Sequence, residues 1–235
     1  MWHVNIFTMF PEAFPGTLGV SLIGRALSQK KWQLNLVDLK QFPTQSDRID
    51  SVPFGGGSGM VLSPITFEKA FNSLSDFQKQ QKKFYLSPRG RKLTQQDMLY
   101  FSKCPGITML CGRYEGVDQR ILDFYEFEEI SIGDFVLMGG EVAAMAFVEG
   151  IVRLLPEVVG NDESIRTDSF QNNLLEYHQY TKPRNFHGLD VPEVLVSGNH
   201  KKIEVYRITQ SKSITKLRRP DLWDTYISSS LSDLF

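Results

Sequence analysis

Three short loops in the first half of the chain carry the residues best suited to hold a ligand: Ser87-Pro88-Arg89-Gly90, Gly112-Arg113-Tyr114-Glu115-Gly116 and Gly133-Asp134-Phe135-Val136-Leu137-Met138-Gly139-Gly140. Glycine lets another backbone or a ligand come close, so such loops offer amide N–H and carbonyl groups rather than long side chains. Each loop follows an apolar run that reads as a strand: Lys83–Leu86, Ile107–Cys111 and Glu129–Ile132. In open α/β sheets, ligands sit beyond the carboxyl ends of strands. One glycine loop alone marks a tight turn; three in succession predict a single backbone-lined pocket.

Other chemistries lack their residues. The chain has no GxxxxGK[ST] loop, no GxGxxG after its first strand, no GxSxG elbow and no HExxH helix. Phe54-Gly55-Gly56-Gly57-Ser58-Gly59-Met60 is glycine-rich, but no lysine follows to meet a phosphate, and it reads as a flexible loop. Cys104 and Cys111 lack metal-ligand spacing, and His3, His178, His187 and His200 form no HxxxH pair. Two unpaired thiols fit a reducing compartment. No signal peptide is expected from the opening residues, and no run approaches the ~18 apolar residues of a membrane span. A cytoplasmic protein is expected.

The elements that position these loops follow from periodicity. Further strands are expected at His3–Thr8 and Gln33–Asp38, and helices at Leu18–Gln29 and Pro64–Gln80, giving an α/β domain. Val142–Leu155 is the most apolar helix candidate, with Glu149 and Arg153 its only charged residues. Such a helix is buried on most sides, in a core or against another subunit. Residues 160–170 are polar and aperiodic, which reads as a mobile linker ahead of a small, mostly helical C-terminal part. From Gly198 to Pro220 seven basic residues face only Glu204, although the whole chain carries a net charge of −1. A basic segment on an acidic body predicts an anionic partner or a solvated helix.

Taken in order, the motifs Phe10-Pro11-Glu12, Tyr85-Leu86-Ser87-Pro88, Cys111-Gly112-Arg113-Tyr114-Glu115-Gly116, Ser131-Ile132-Gly133-Asp134, Met138-Gly139-Gly140-Glu141, Asp168-Ser169-Phe170, Ser197-Gly198-Asn199-His200 and Arg218-Arg219-Pro220 closely resemble the bacterial tRNA (guanine-N1)-methyltransferases, the TrmD type of the SPOUT superfamily. The resemblance implies an α/β domain over residues 1–159 with a deep trefoil knot, a linker over 160–169 and a helical tRNA-binding domain over 170–235. It implies S-adenosyl-L-methionine held by Tyr85, Leu86, Ser87, Pro88, Gly112, Glu115, Ile132, Gly133, Asp134, Phe135, Val136, Leu137, Gly139 and Gly140. It associates the activity with Mg2+, for which no acidic cluster in the sequence supplies ligands. It also implies a homodimer whose active site is shared between subunits.

The reaction implied is methylation of N1 of guanine 37 in tRNA, next to the anticodon. N1 carries a proton that must leave before the nitrogen can attack, and a carboxylate in reach can take it. Asp168 matches the base, Arg153 the residue that stabilises charge on the guanine O6, and Glu115 a neighbour of the guanine or the sulfonium. Read without the resemblance, Asp168 is a solvated or helix-capping aspartate and Glu115 a partner for Arg113. Lys201, Arg207, Arg218 and Arg219 match contacts to the anticodon stem, made through phosphates. A knotted methyltransferase for another RNA, or a non-catalytic RNA-binding relative, would carry the same loops. Two stretches depart from the family pattern. Asp50-Ser51-Val52-Pro53-Phe54 replaces two aspartates followed by a variable residue and Pro-Tyr, and Gln179 stands where a histidine is common.

Overall fold

The structure, a computed structural model, describes residues 1–45, 47–160 and 168–232. The chain divides into two compact units, Met1–Gly160 and Asn161–Phe235. Most of the expected linker, residues 161–167, lies outside the described residues.

The first unit contains strands β1 (Trp2–Thr8), β2 (Trp32–Asp38), β3 (Asp50–Ser51), β4 (Val61–Leu62), β5 (Lys82–Lys92), β6 (Gly106–Leu110) and β7 (Glu128–Ser131). Its helices are α1 (Ser21–Ser28), α2 (Pro64–Asn72), α3 (Asp76–Lys79), α4 (Gln95–Ser102), α5 (Gln119–Phe124) and α6 (Glu141–Val152). Five strands form one parallel sheet in the order β2-β1-β6-β5-β7. Parallel sheets are covered on both faces, and alternate residues of each strand feed two cores. Val4, Ile6, Phe84 and Met109 join Phe147, Val148 and Ile151 of α6 on one side. Phe7, Tyr85 and Leu110 join Phe67 and Phe71 of α2 and Ile121 of α5 on the other.

Local chemistry corrects three boundaries. The expected helix 18–29 is split: a 3-10 turn covers Gly16–Gly19, Val20 is extended, and α1 starts at Ser21. The expected helix 64–80 ends at Asn72 and restarts at Asp76, because Ser75 and Gln78 form a reciprocal capping box. Strand β5 does not stop at Leu86. Its partner Ile130 lies opposite both Leu86 and Arg91, so Ser87–Gly90 bulges out and pairing resumes beyond. Arg91 secures the resumed strand through Glu128 at 2.6 Å and Asp97 at 2.8 Å.

The second unit contains a two-stranded ribbon, β8 (Asn185–Phe186) with β9 (Leu189–Asp190), and helices α7 (His200–Arg218) and α8 (Pro220–Ser232). Asn199 caps α7 by accepting a hydrogen bond from the Lys202 amide at 3.1 Å.

Candidate active site

The carboxyl ends of the neighbouring strands β6, β5 and β7 open into a cavity of about 460 Å³. That is the size range of small-molecule sites. The β5 bulge, the turn after β6 and the segment between β7 and α6 all line it. Tyr85, Leu86, Ser87, Pro88, Gly112, Glu115, Ile132, Gly133, Phe135, Val136, Leu137, Gly139 and Gly140 are in its wall. Asp134 is placed differently: its carboxylate takes the Lys92 ammonium at 2.8 Å and is 78% exposed, outside the lining.

The loops touch because they lack side chains at the points of approach. A Cβ at Gly112 would fall 2.5 Å from the Tyr85 hydroxyl oxygen, and one at Gly140 would fall 2.8 Å from the Cys111 Cα. A Cβ at Gly139 would strike the Arg113 guanidinium. The Gly140 amide donates to the Gly112 carbonyl at 3.1 Å, joining two of the three loops directly. The Ser131 hydroxyl donates to the Gly133 carbonyl at 3.0 Å and accepts from the Gly133 amide, closing the turn after β7. Backbone groups and apolar rings therefore make up much of the wall. The wall suits a small ligand held largely by backbone groups, with Arg89 and Arg113 as the cationic side chains of the lining.

Polar side chains stand at defined points around it. Tyr85 is 7% exposed, and burial raises its phenol above the ordinary tyrosine value, with Arg89 opposing. Arg89, on the bulge, is held by Glu129 through Nε and Nη2 at 3.2 Å each and by the Gln119 amide oxygen at 3.3 Å. Glu115 lies against the backbone of Gly59, where a Cβ would come 2.6 Å from its Oε1. Arg113 does not pair with Glu115, as the sequence alone allowed; its Nη2 meets Glu141 Oε2 at 2.9 Å. The Thr8 hydroxyl donates to Glu141 Oε1 at 2.8 Å, and the Arg113 guanidinium covers the Phe10 ring at 4.4 Å. Burial, followed by the Glu141 charge, pushes the Cys111 thiol well above its usual value.

Arg113, Glu141, Arg89 and Gln119 are polar members of the site that sequence reasoning misses. Arg113 and Arg89 sit inside the glycine loops, so the loops are the available signal. Glu141 ends the Met138-Gly139-Gly140-Glu141 motif and stands behind the lining, and nothing local marks Gln119.

Of the remaining candidates, Arg153 belongs to the same unit as the cavity and the others to the second unit. Arg153 caps the C-terminus of α6, whereas the cavity meets that chain segment at Gly140–Ala143. Arg153 is ten helical steps beyond Ala143, which is roughly 15 Å along the axis. Val142, Ala146, Glu149 and Arg153 share one helical face, and Val142 is 61% exposed. Asp168 belongs to the second unit. The turn after it is tied by the Glu176 amide donating to Ser169 Oγ at 3.0 Å and the Phe170 amide donating to the Leu174 carbonyl at 2.7 Å. Gln179, the departure noted above, donates to Glu176 at 2.6 Å and so supports that turn.

Lys201 lies in the first turn of α7 and Arg218 in its last. Arg207 covers the Tyr177 ring at 4.8 Å. Arg219 is engaged by Asp221, with Nε to Oδ1 at 2.8 Å. Among the described residues no three His, Cys, Asp or Glu side chains gather in a way that could hold a metal, and no helix is long and apolar enough to cross a membrane.

The family described as tRNA (Guanine-1)-methyltransferase TrmD matches residues 2–225 of the chain. Relatives of the chain carry the name tRNA (guanine-N(1)-)-methyltransferase. The protein from Ehrlichia ruminantium (strain Welgevonden) is 50% identical over 227 residues, 96% of this chain and 97% of its own. That from Ruegeria pomeroyi is 47% identical over 228 residues, 96% of this chain and 94% of its own. That from Pelagibacter ubique is 47% identical over 228 residues, 96% of this chain and 99% of its own.

Proposed function

The chain belongs to the tRNA (guanine-1)-methyltransferase family, and from that premise we propose that it transfers a methyl group from S-adenosyl-L-methionine to N1 of guanine 37 in tRNA, in the cytoplasm. The observation that carries this reading is the backbone-lined cavity at the ends of β5, β6 and β7. S-adenosyl-L-methionine supplies a methyl group already activated by a positively charged sulfur. The chain's task is then to align a nucleophile and remove its proton.

In this proposal Asp168 accepts the proton from guanine N1, a step that general base catalysis accelerates typically ~10²–10⁴-fold. Arg153 faces the O6 atom, where negative charge develops as N1 loses its proton. Glu115, in the cavity wall, faces the guanine or the cationic sulfur. Lys201, Arg207, Arg218 and Arg219 take phosphates of the anticodon stem, with residues 170–235 as the RNA-binding part. The Mg2+ implied by the family resemblance is proposed without assigned ligands.

The proposal includes a homodimer. Within one copy Arg153 stands a helix length from the cavity, so a second copy would have to supply it. Val136, Met138 and Val142, exposed by 84%, 92% and 61% beside the cavity, offer apolar surface for that association. It also includes a trefoil knot. The return of the segment after β7 to place Gly140 on Gly112, across β5, supports such a crossing.

The test is mass-spectrometric mapping of unmodified tRNA incubated with the protein and labelled S-adenosyl-L-methionine. A single methyl on N1 of guanine 37, lost in Asp168→Ala, is expected. A methyl on another atom or nucleotide would overturn the assignment.

A further inference from the structure

The glycine-rich loop 54–60 has no part in the proposed chemistry, yet it is built onto the cavity. Strands β3 and β4 pair antiparallel, Asp50 with Leu62 and Ser51 with Val61, so residues 52–60 form the end of a ribbon. The ribbon is fastened to the cavity wall. The Glu115 amide donates to the Met60 carbonyl at 3.1 Å, the Leu62 amide to the Gly116 carbonyl at 3.1 Å, and Leu62 bridges Val117. Gly59 meets the Glu115 side chain.

At the other end stands Phe54, 100% exposed. A lone exposed hydrophobic residue is ordinary; this one is held outward by its backbone. The Gly56 amide donates to the Pro53 carbonyl at 3.2 Å and Gly55 has φ +88°, the arrangement of a type II turn with Phe54 at its first corner. A Cβ at Gly55, Gly56 or Gly57 would meet nothing within 4 Å, so the corner stands clear of the protein. Phe54 is six positions from Met60, so their Cα atoms lie within about 22 Å even if the chain were fully extended, and Met60 is hydrogen-bonded to Glu115 of the wall.

Enzymes that do chemistry on a base take it single-stranded or draw it out of the stack into the active-site pocket. A base flipped out leaves its neighbour with an uncovered face. Unpaired bases of RNA are held by stacking on aromatic side chains. We infer that Phe54 is an RNA-positioning residue whose ring stacks on an unpaired base of the substrate beside the cavity. This inference rests on the proposed tRNA methylation, and it commits the ribbon to the RNA, not to the methyl donor.

The test compares Phe54→Leu, Phe54→Tyr and Phe54→Trp in the full-length protein; because the ring touches solvent only, all are expected to fold. Loss of one stacked base corresponds to roughly ten-fold or more in binding. Phe54→Leu should raise the KM for tRNA by about that factor while leaving kcat and the Kd for S-adenosyl-L-methionine unchanged. Phe54→Tyr should restore the KM. Relative to wild type, the added emission of Phe54→Trp should be quenched by an unmodified anticodon stem-loop and not by S-adenosyl-L-methionine. An unchanged KM in Phe54→Leu without quenching in Phe54→Trp would overturn the inference, as would a weakened cofactor Kd. Quenching by RNA in a protein that methylates a different atom would overturn the proposed function and leave the stacking role standing.

Discussion

Arg113 and Glu141 form an ion pair at 2.9 Å in which the Glu141 side chain is 3% exposed and the Arg113 side chain 24%. The pair joins the turn after β6 to the first residue of α6, between which the cavity opens. Glu141 also sits in the first turn of its helix, where negative charge is favoured. Removing Arg113 leaves a carboxylate nearly out of water, with the Thr8 hydroxyl still donating to it. Arg113→Ala should therefore cost about 3 kcal/mol, the low end for a broken buried pair because Arg113 is partly solvated. The double variant Arg113→Ala/Glu141→Ala should cost less than the two single changes together. Urea denaturation of the four proteins measures this; strict additivity would mean that the pair contributes nothing of its own.

Gly140 should be as intolerant of a methyl group as any residue of the site. Its φ is −78°, which alanine adopts freely, so a substitution tests space alone. The added Cβ would lie 2.8 Å from the Cys111 Cα and 3.2 Å from the Gly112 nitrogen, both backbone atoms that cannot rotate away. Gly140→Ala should spread the two loops and weaken S-adenosyl-L-methionine binding by about ten-fold or more, a 1.4 kcal/mol effect in a contact this close. Calorimetric titration is the measurement, with circular dichroism to verify the fold. An unaltered Kd would mean that the loops adjust at no expense to the site.

Asp118 links acid stability to the cavity wall. It caps α5 by accepting from the Arg120 amide at 2.9 Å, and the Arg120 guanidinium meets it at 2.7 Å. The Arg120 side-chain hydrogen bond is the main cause holding the Asp118 carboxyl below its ordinary value. A lowered folded-state pKa gives stability that is present above the usual carboxylate range and is lost as pH falls through the folded value. Asp118→Asn keeps a competent cap and removes the charge. Its melting temperature should lie below wild type at pH 7, and the gap should start to shrink near pH ~4 and close as the pH falls through the lowered folded-state value. Asp118→Ala should cost about 1 kcal/mol by losing the cap. A gap between wild type and Asp118→Asn that persists at low pH would contradict the linkage.

Parts of this site are legible in the sequence for physical reasons. Apolar runs ending in glycine loops mark strands whose carboxyl ends face one crevice, and the three loops do share one cavity. The ordered motifs add the family. What is not legible depends on partners distant in the chain. Nothing beside Glu141 announces that Arg113, 28 positions earlier, will neutralise it. The glycine-rich loop 54–60 reads as merely flexible because its anchor, the segment Glu115–Val117, is brought to it only by the sheet. Residues 64–80 read as one helix because their periodicity outweighs the Ser75–Gln78 capping box. The β5 bulge reads as a strand end because pairing that resumes after four residues leaves no periodic trace.

The basic helix α7 permits a sharper prediction than its charge alone. Arg218 and Arg219 are adjacent and carry the same formal charge, but Asp221 binds Arg219, and its carboxyl is lowered chiefly by the Arg219 side-chain hydrogen bond. A guanidinium already matched by a carboxylate releases fewer counterions from RNA than an unmatched one. Neutralising Arg218 should thus weaken tRNA binding more than neutralising Arg219. Removing one arginine–phosphate interaction should also reduce the slope of log Kd against log salt by about 0.9 for a duplex stem. Filter binding of wild type, Arg218→Ala, Arg219→Ala and Asp221→Asn across a salt series separates the contributions. Asp221→Asn, which releases Arg219, should tighten binding and steepen the slope. Equal losses for the two arginine variants, with no gain from Asp221→Asn, would show that the Arg219–Asp221 pair does not govern how this end of α7 meets RNA.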